Sequence, residues 1–143
     1  MNESESNTIE SIFTFWFEET TQEQKYNKDD AFDEKIKDNF RTTYWKVVNG
    51  ETESWRETPE GRLAEIIVLD QFARNMFRDD KQFFANDELA LTLAREALAV
   101  GADMELTNEQ RHFFYMPFMH SESREVHEEA LKIFTEKSSE GGT

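Results

Sequence analysis

The residues of this chain best equipped for chemistry lie in one decapeptide, Leu69-Asp70-Gln71-Phe72-Ala73-Arg74-Asn75-Met76-Phe77-Arg78. On a helix, at about 100° per residue, Asp70, Gln71, Arg74, Asn75 and Arg78 share one sector, while Leu69, Phe72 and Met76 face away. Asp70 and Arg74 stand at i,i+4, as do Arg74 and Arg78. Two guanidinium groups beside a carboxylate present paired donors, which suits an anion or an amide. The same groups could instead form a satisfied network pinning neighbouring helices. That structural reading ranks first, because ion-pair networks often mimic sites. A second constellation is His120-Ser121-Glu122, just past Pro117. His120 with Glu122 could carry proton transfer; the competing account is capping or a buried hydrogen bond at a helix start. A shared site requires Arg74 and His120 to converge, which spacing alone does not decide.

Other chemistries find little material. The three histidines, His112, His120 and His127, include no i,i+4 pair and no H-E-x-x-H spacing, so no metal site is expected. Asp29, Asp30 and Asp33 lack the rest of an EF-hand loop. Neither a G-x-S-x-G elbow, a P-loop nor a dinucleotide-binding glycine pattern occurs, and no cofactor is implied. The chain has no Cys, which removes disulfides and thiolate chemistry and fits a reducing compartment. Its 143 residues carry 16 Lys and Arg against 31 Asp and Glu, a net charge of -15, so a phosphate-neutralising face is not expected. Nucleic acid and anionic membranes are therefore set aside as partners. The N-terminus is unlike a secretory signal, and the longest near-apolar run, Phe113 to Met119, is too short to span a bilayer. The cytoplasm is the expected location.

The elements that must position these residues read as helices. Thirteen Phe and three Trp can fill a core. Thr8 to Glu18 reads as the first helix, with Ile9, Ile12, Phe13 and Trp16 at helical spacing, and Glu19 to Lys28 as a loop. Asp29 or Asp30 caps a second helix whose Phe32, Ile36, Phe40, Tyr44 and Val47 form one stripe, ended by Gly50. Trp45 and Trp55 are expected to cover the seam to the third helix. Thr58-Pro59-Glu60 opens that helix, and Ile66-Ile67-Val68-Leu69 makes it apolar all round, hence internal. A buried strand is the alternative for that run. Asn86 or Asp87 caps the fourth helix, Glu88 to Val100, stopped by Gly101. Thr107-Asn108-Glu109-Gln110 matches a capping box for the fifth, which should end near Tyr115 ahead of Pro117. Ser121 or Ser123 caps the sixth, with Val126, Ala130, Ile133 and Phe134 facing inward. The reading is all-α, about six helices in antiparallel pairs: residues 1–7 a flexible tail, 8–136 a single helical domain, 137–143 a second tail.

Five segments in order, F-W-F (Phe15 to Phe17), K-D-D-A-F-D (Lys28 to Asp33), T-P-E-G (Thr58 to Gly61), L-D-Q-F-A-R-N-M-F-R (Leu69 to Arg78) and F-F-Y-M-P-F-M-H-S-E (Phe113 to Glu122), resemble the bacterial family called domain of unknown function 924. The resemblance runs from about Ile9 to Phe134. It implies a tetratricopeptide-like α-α superhelix and no established activity. The family usually carries Pro where this chain has Ala73, so the central helix is expected to be straighter here. Relatives usually continue into a segment ending R-F-G-R-F-P-H-R-N, absent before Thr143. A pocket completed by that segment would be open here, and an exposed apolar groove could invite a partner or self-association into a homo-oligomer.

Three functions fit these observations. A scaffold for proteins or peptides comes first, since stacked helices present concave surfaces. A small-molecule enzyme or binder comes next, with Asp70, Gln71, Arg74, Asn75 and Arg78 holding an anionic or carbonyl ligand and His120 with Glu122 moving a proton. A scaffold with no site is the third.

Overall fold

The computed structural model describes residues 9–26, 29–77, 85–121 and 123–141, those from 134 onward by backbone alone. Helix α1 (Ile9–Phe13) runs directly into a π-helical stretch, Thr14–Glu19. There the hydroxyl of Thr20 donates to the carbonyl of Phe15 at 2.6 Å, satisfying an acceptor where the helix ends. A short helix, α2 (Gln22–Tyr26), occupies part of the polar segment read as loop. Thr21 starts it, its hydroxyl accepting from the Gln24 amide while its own N–H donates to the Gln24 side chain, a reciprocal cap.

Helix α3 (Asp30–Val48) begins where sequence placed it: the Asp29 carboxylate accepts from the Phe32 amide. Its stripe of Phe32, Ile36, Phe40, Tyr44 and Val47 is buried. Gly50 and Gly101 both have positive φ, 79° and 74°, and end α3 and α6 (Asp87–Ala99) as expected of residues without a Cβ. A 3-10 turn, Glu53–Glu57, leads to α4 (Pro59–Ile66), whose N-cap Thr58 accepts from the Gly61 amide. Gly61 is required there by close approach. A Cβ would lie 1.8 Å from the Trp55 carbonyl oxygen.

From α4 the chain continues unbroken through a π-helical turn, Ile67–Phe72, into α5 (Ala73–Met76). This rod, residues 59–76, is central to the described structure: α1, α3, α6 and α7 (Asn108–His120) all pack on it. Ile66, Ile67, Val68, Leu69, Phe72 and Ala73 are each buried to within 1% exposure, as expected of a helix apolar all round. The strand alternative for this run is excluded, and no strand occurs among the described residues. Phe72 ties the two π-helical stretches together, its ring 5.8 Å from Phe15, 5.7 Å from Trp16 and 4.6 Å from Phe40.

Helix α6 is Asp87–Ala99 and α7 is Asn108–His120. The capping box at Thr107 and Gln110 forms with both bonds present. The expected stop at Tyr115 does not: α7 passes through Pro117. Proline inside a helix costs about 3 kcal/mol by removing one backbone bond and crowding the previous turn. Phe113, Phe114 and Phe118 are all buried. Burying a Phe contributes roughly 1.5–3 kcal/mol, so three of them outweigh the break. His120 is thus the last residue of a helix, not the start of a new element. Helix α8 (Arg124–Gly141) packs on α7 through Val126 and Ala130, and Ser123 accepts from the Val126 amide at its start. Its backbone continues beyond Lys137, where sequence placed a tail; Phe134's side chain and the tail at residues 1–7 lie outside the described residues. Trp55 packs on the core, whereas Trp45 is 41% exposed and lies edge-on to Tyr44. No helix among the described residues is long and apolar enough to cross a membrane.

Candidate functional site

The site forms where the π-helical turn meets the ends of α6 and α7. A buried run of Ile67, Val68 and Leu69 carries Asp70 inward with it, so the carboxylate is 1% exposed. An isolated buried carboxylate would be expensive. Asp70 is instead fully engaged. Its Oδ1 accepts from Arg74 Nη1 and faces His120 Nδ1, both at 2.8 Å, and its Oδ2 accepts from Gln71 Nε2 at 3.0 Å. Arg74 reaches on to α6, donating from Nη1 and Nη2 to Asp87 Oδ1 and Oδ2 at 3.0 Å each. This two-pronged bond fixes the guanidinium plane.

Arg74 and His120 therefore converge, and they do so on a single oxygen. An ionised Asp70 takes the hydrogen on Nδ1 of His120, and in the neutral imidazole Nε2 then presents a lone pair. The His120 side chain is 22% exposed, and Nε2 has no hydrogen-bond partner among the described residues. A buried carboxylate that fixes the tautomer and orientation of a half-buried imidazole is an arrangement suited to general-base chemistry.

Of the residues singled out in the sequence, Asp70, Gln71, Arg74 and His120 come together. Asn75 lies on the adjoining face and donates to Asp33 Oδ1 on α3 at 2.8 Å, linking the rod to that helix. Arg78 and Glu122 lie outside the described residues. His112 and His127 are exposed and elsewhere on the surface.

Three participants were missed. Asp87 and Asn86 read as helix caps, and Asn86 does hold the N-cap position, but its side chain makes no capping bond. Asn86 Nδ2 donates instead to the Tyr44 hydroxyl at 2.6 Å, and Asp87 is taken by Arg74. An acidic residue in a first turn is so common that its long-range partner leaves no periodic signature. Asp33, dismissed with the incomplete calcium-loop pattern, is the third. No group of three or more metal-ligating side chains occurs among the described residues.

Two other buried carboxylates show what purely architectural networks look like here. Glu65 accepts from Thr52 at 2.7 Å and from Arg56 Nε at 2.9 Å, which fastens the 3-10 turn to α4. The bond to Glu65 pushes the Arg56 guanidinium still higher in pKa. Asp103 accepts from the Tyr115 hydroxyl at 2.8 Å; burial first, then that bond, pushes the phenol up. A separate surface groove of about 350 Å³ is lined by Glu10, Ser11, Thr14, Phe15, Glu19 and Phe40, and shares no residue with the Asp70 cluster.

Comparison with known proteins agrees with this architecture. A family model described as bacterial protein of unknown function, DUF924, matches residues 12–142. The solved structure of a protein of unknown function from Agrobacterium tumefaciens superposes with a TM-score of 0.84 at 34% identity, covering 89% of this chain and 72% of that one. No curated protein matches. With the family model spanning nearly the whole chain, this protein belongs to the DUF924 family of bacterial proteins of unknown function.

Proposed function

We propose that the Asp70–His120 pair is the proton-transfer centre of a small-molecule site. The observation that carries the reading is the shared oxygen: Asp70 Oδ1 stands 2.8 Å from both His120 Nδ1 and Arg74 Nη1. Asp70 fixes the imidazole, and Arg74, held by Asp87, fixes Asp70. His120 Nε2 is left to accept a proton from a bound ligand and to return it. Arg74 acts here as a positioning residue, because its donors are directed at carboxylates. Screening small metabolites for consumption by the wild-type chain and by His120→Gln tests the reading. A positioned base contributes roughly 10²–10⁴-fold, so turnover in His120→Gln should fall by at least about 100-fold. Equal turnover in both proteins overturns it.

The groove favours a second reading, the peptide scaffold. Phe15 and Phe40 form its floor and Glu10 and Glu19 its rim, which suits a basic peptide lying across a tetratricopeptide-like superhelix in the cytoplasm. Phe40→Ala should then abolish capture of a specific partner at micromolar concentration. Failure to capture any counts against it.

A further inference from the structure

We infer that the groove between α1, with its π-helical continuation, and α3 binds a linear diamine, a dication whose two ammonium groups are joined by an apolar chain. The inference uses the groove of the scaffold reading but names a different occupant, and it does not depend on the Asp70–His120 centre. Glu10, Ser11, Thr14, Phe15 and Glu19 line it from the first helix, and Phe40 of α3 completes the floor. The π-helical stretch is what gives this groove two acidic ends. Nine residue steps at about 100° each would set Glu19 on the opposite side of an α-helix from Glu10. Thr14–Glu19, wound with i→i+5 bonds, turns less per residue and swings Glu19 back toward the face that Glu10 begins. Both carboxylates then border one groove, and at a rise of 1.5 Å per residue or slightly less they stand roughly 12 Å apart along the axis. Departures of this kind from α geometry are frequent at functional sites.

Charge and shape select the occupant. Glu10 and Glu19 are exposed and make no hydrogen bond or ion pair among the described residues, so each can receive an ammonium without losing a partner. Between them lies the apolar strip of Phe15 and Phe40, which a methylene chain can cover. The chain already sets a primary ammonium on this floor: Lys35 Nζ lies 5.6 Å from the Phe15 ring centroid. A volume of about 350 Å³ falls at the lower end of the roughly 300–1,000 Å³ usual for ligand pockets, which suits one extended aliphatic chain. An anionic ligand would instead meet a carboxylate at each end.

The test uses the full chain at low ionic strength, with 1,8-diaminooctane as the probe and 1,4-diaminobutane and 1-aminooctane as comparators. Binding is read by calorimetry and by movement of the Thr14 and Phe15 amide resonances. The long diamine should saturate one site and move both resonances. It should bind more tightly than the short diamine, which lacks the reach, and than the monoamine, which lacks the second charge. Both carboxylates are exposed, so Glu10→Gln and Glu19→Gln should fold as wild type. Each should weaken binding about twofold to fivefold, and the double variant by roughly the product. Glu128→Gln, the same change of charge at an exposed position on α8, should leave it unaltered. Equal weakening by all three substitutions overturns the inference, because general attraction to a chain of net charge -15 then accounts for the binding. A monoamine or short diamine that binds as tightly also overturns it. A lysine-rich peptide that moves the same resonances and displaces the diamine overturns it in favour of the scaffold reading. Diamine binding as expected, with no peptide captured, leaves the inference standing and sinks the scaffold reading.

Discussion

Replacing Asp70 by Ala removes the acceptor on which the central network closes. The carboxylate is 1% exposed and engages Arg74, His120 and Gln71 at 2.8, 2.8 and 3.0 Å. Breaking a buried ion pair from one side costs about 3–5 kcal/mol, because a charge is left uncompensated. Two features lower that figure here. Arg74 is 22% exposed, so solvent screens it, and it keeps both bonds to Asp87. A loss of about 2–3 kcal/mol is expected, which for a chain of this length lowers Tm by roughly 8 °C. Urea unfolding followed by far-ultraviolet circular dichroism measures it as a reduced midpoint at unchanged slope. A cycle with His120→Gln isolates the second bond and should return about 0.5–3 kcal/mol of coupling. An Asp70→Ala midpoint equal to wild type would refute the claim that this carboxylate is locked in the core. Zero coupling would refute the Asp70–His120 bond specifically.

Other perturbations follow from the same packing. Gly61→Ala places a Cβ 1.8 Å from the Trp55 carbonyl oxygen and 2.9 Å from Ile9 Cδ1, and since backbone must move, a loss of about 1–3 kcal/mol or more is expected in thermal unfolding; a neutral result would mean that the 3-10 turn does not lie against α4. Arg74→Lys keeps the charge but cannot span Asp70 and Asp87 as a planar fork, so its unfolding midpoint should drop, and a wild-type midpoint would show the two-pronged bond to be dispensable. Tyr115 is held neutral by burial and by Asp103, so its folded pKa lies above the ordinary value of 10.0. A raised folded pKa means that the folded state keeps its proton longer than the unfolded state. The stability it contributes is complete below pH 10 and is lost as pH climbs beyond it. Tyr115→Phe should therefore flatten the alkaline limb of a stability–pH curve, and identical limbs would contradict the buried bond.

The local grammar of the chain was legible because it depends on neighbours in sequence. Asp29, Thr58 and Thr107 cap helices through atoms three residues away, and Gly50 and Gly101 stop them through their own φ. The burial of the central rod followed from Ile66 to Leu69 being apolar on every side. Half of the site was legible for the same reason, since Asp70 and Arg74 pair at i,i+4. Tertiary packing decided the rest. It carried α7 through Pro117, because three buried Phe side chains outweigh one lost backbone bond, and so delivered His120 to Asp70 across 50 residues of sequence. It wound Thr14–Glu19 and Ile67–Phe72 as π-helix, a choice that no side-chain periodicity records. It also paired Arg74 with Asp87 and Asn75 with Asp33. Such pairings have no period to read in the sequence, because they exist only once separate helices have been brought together by the burial of their apolar faces.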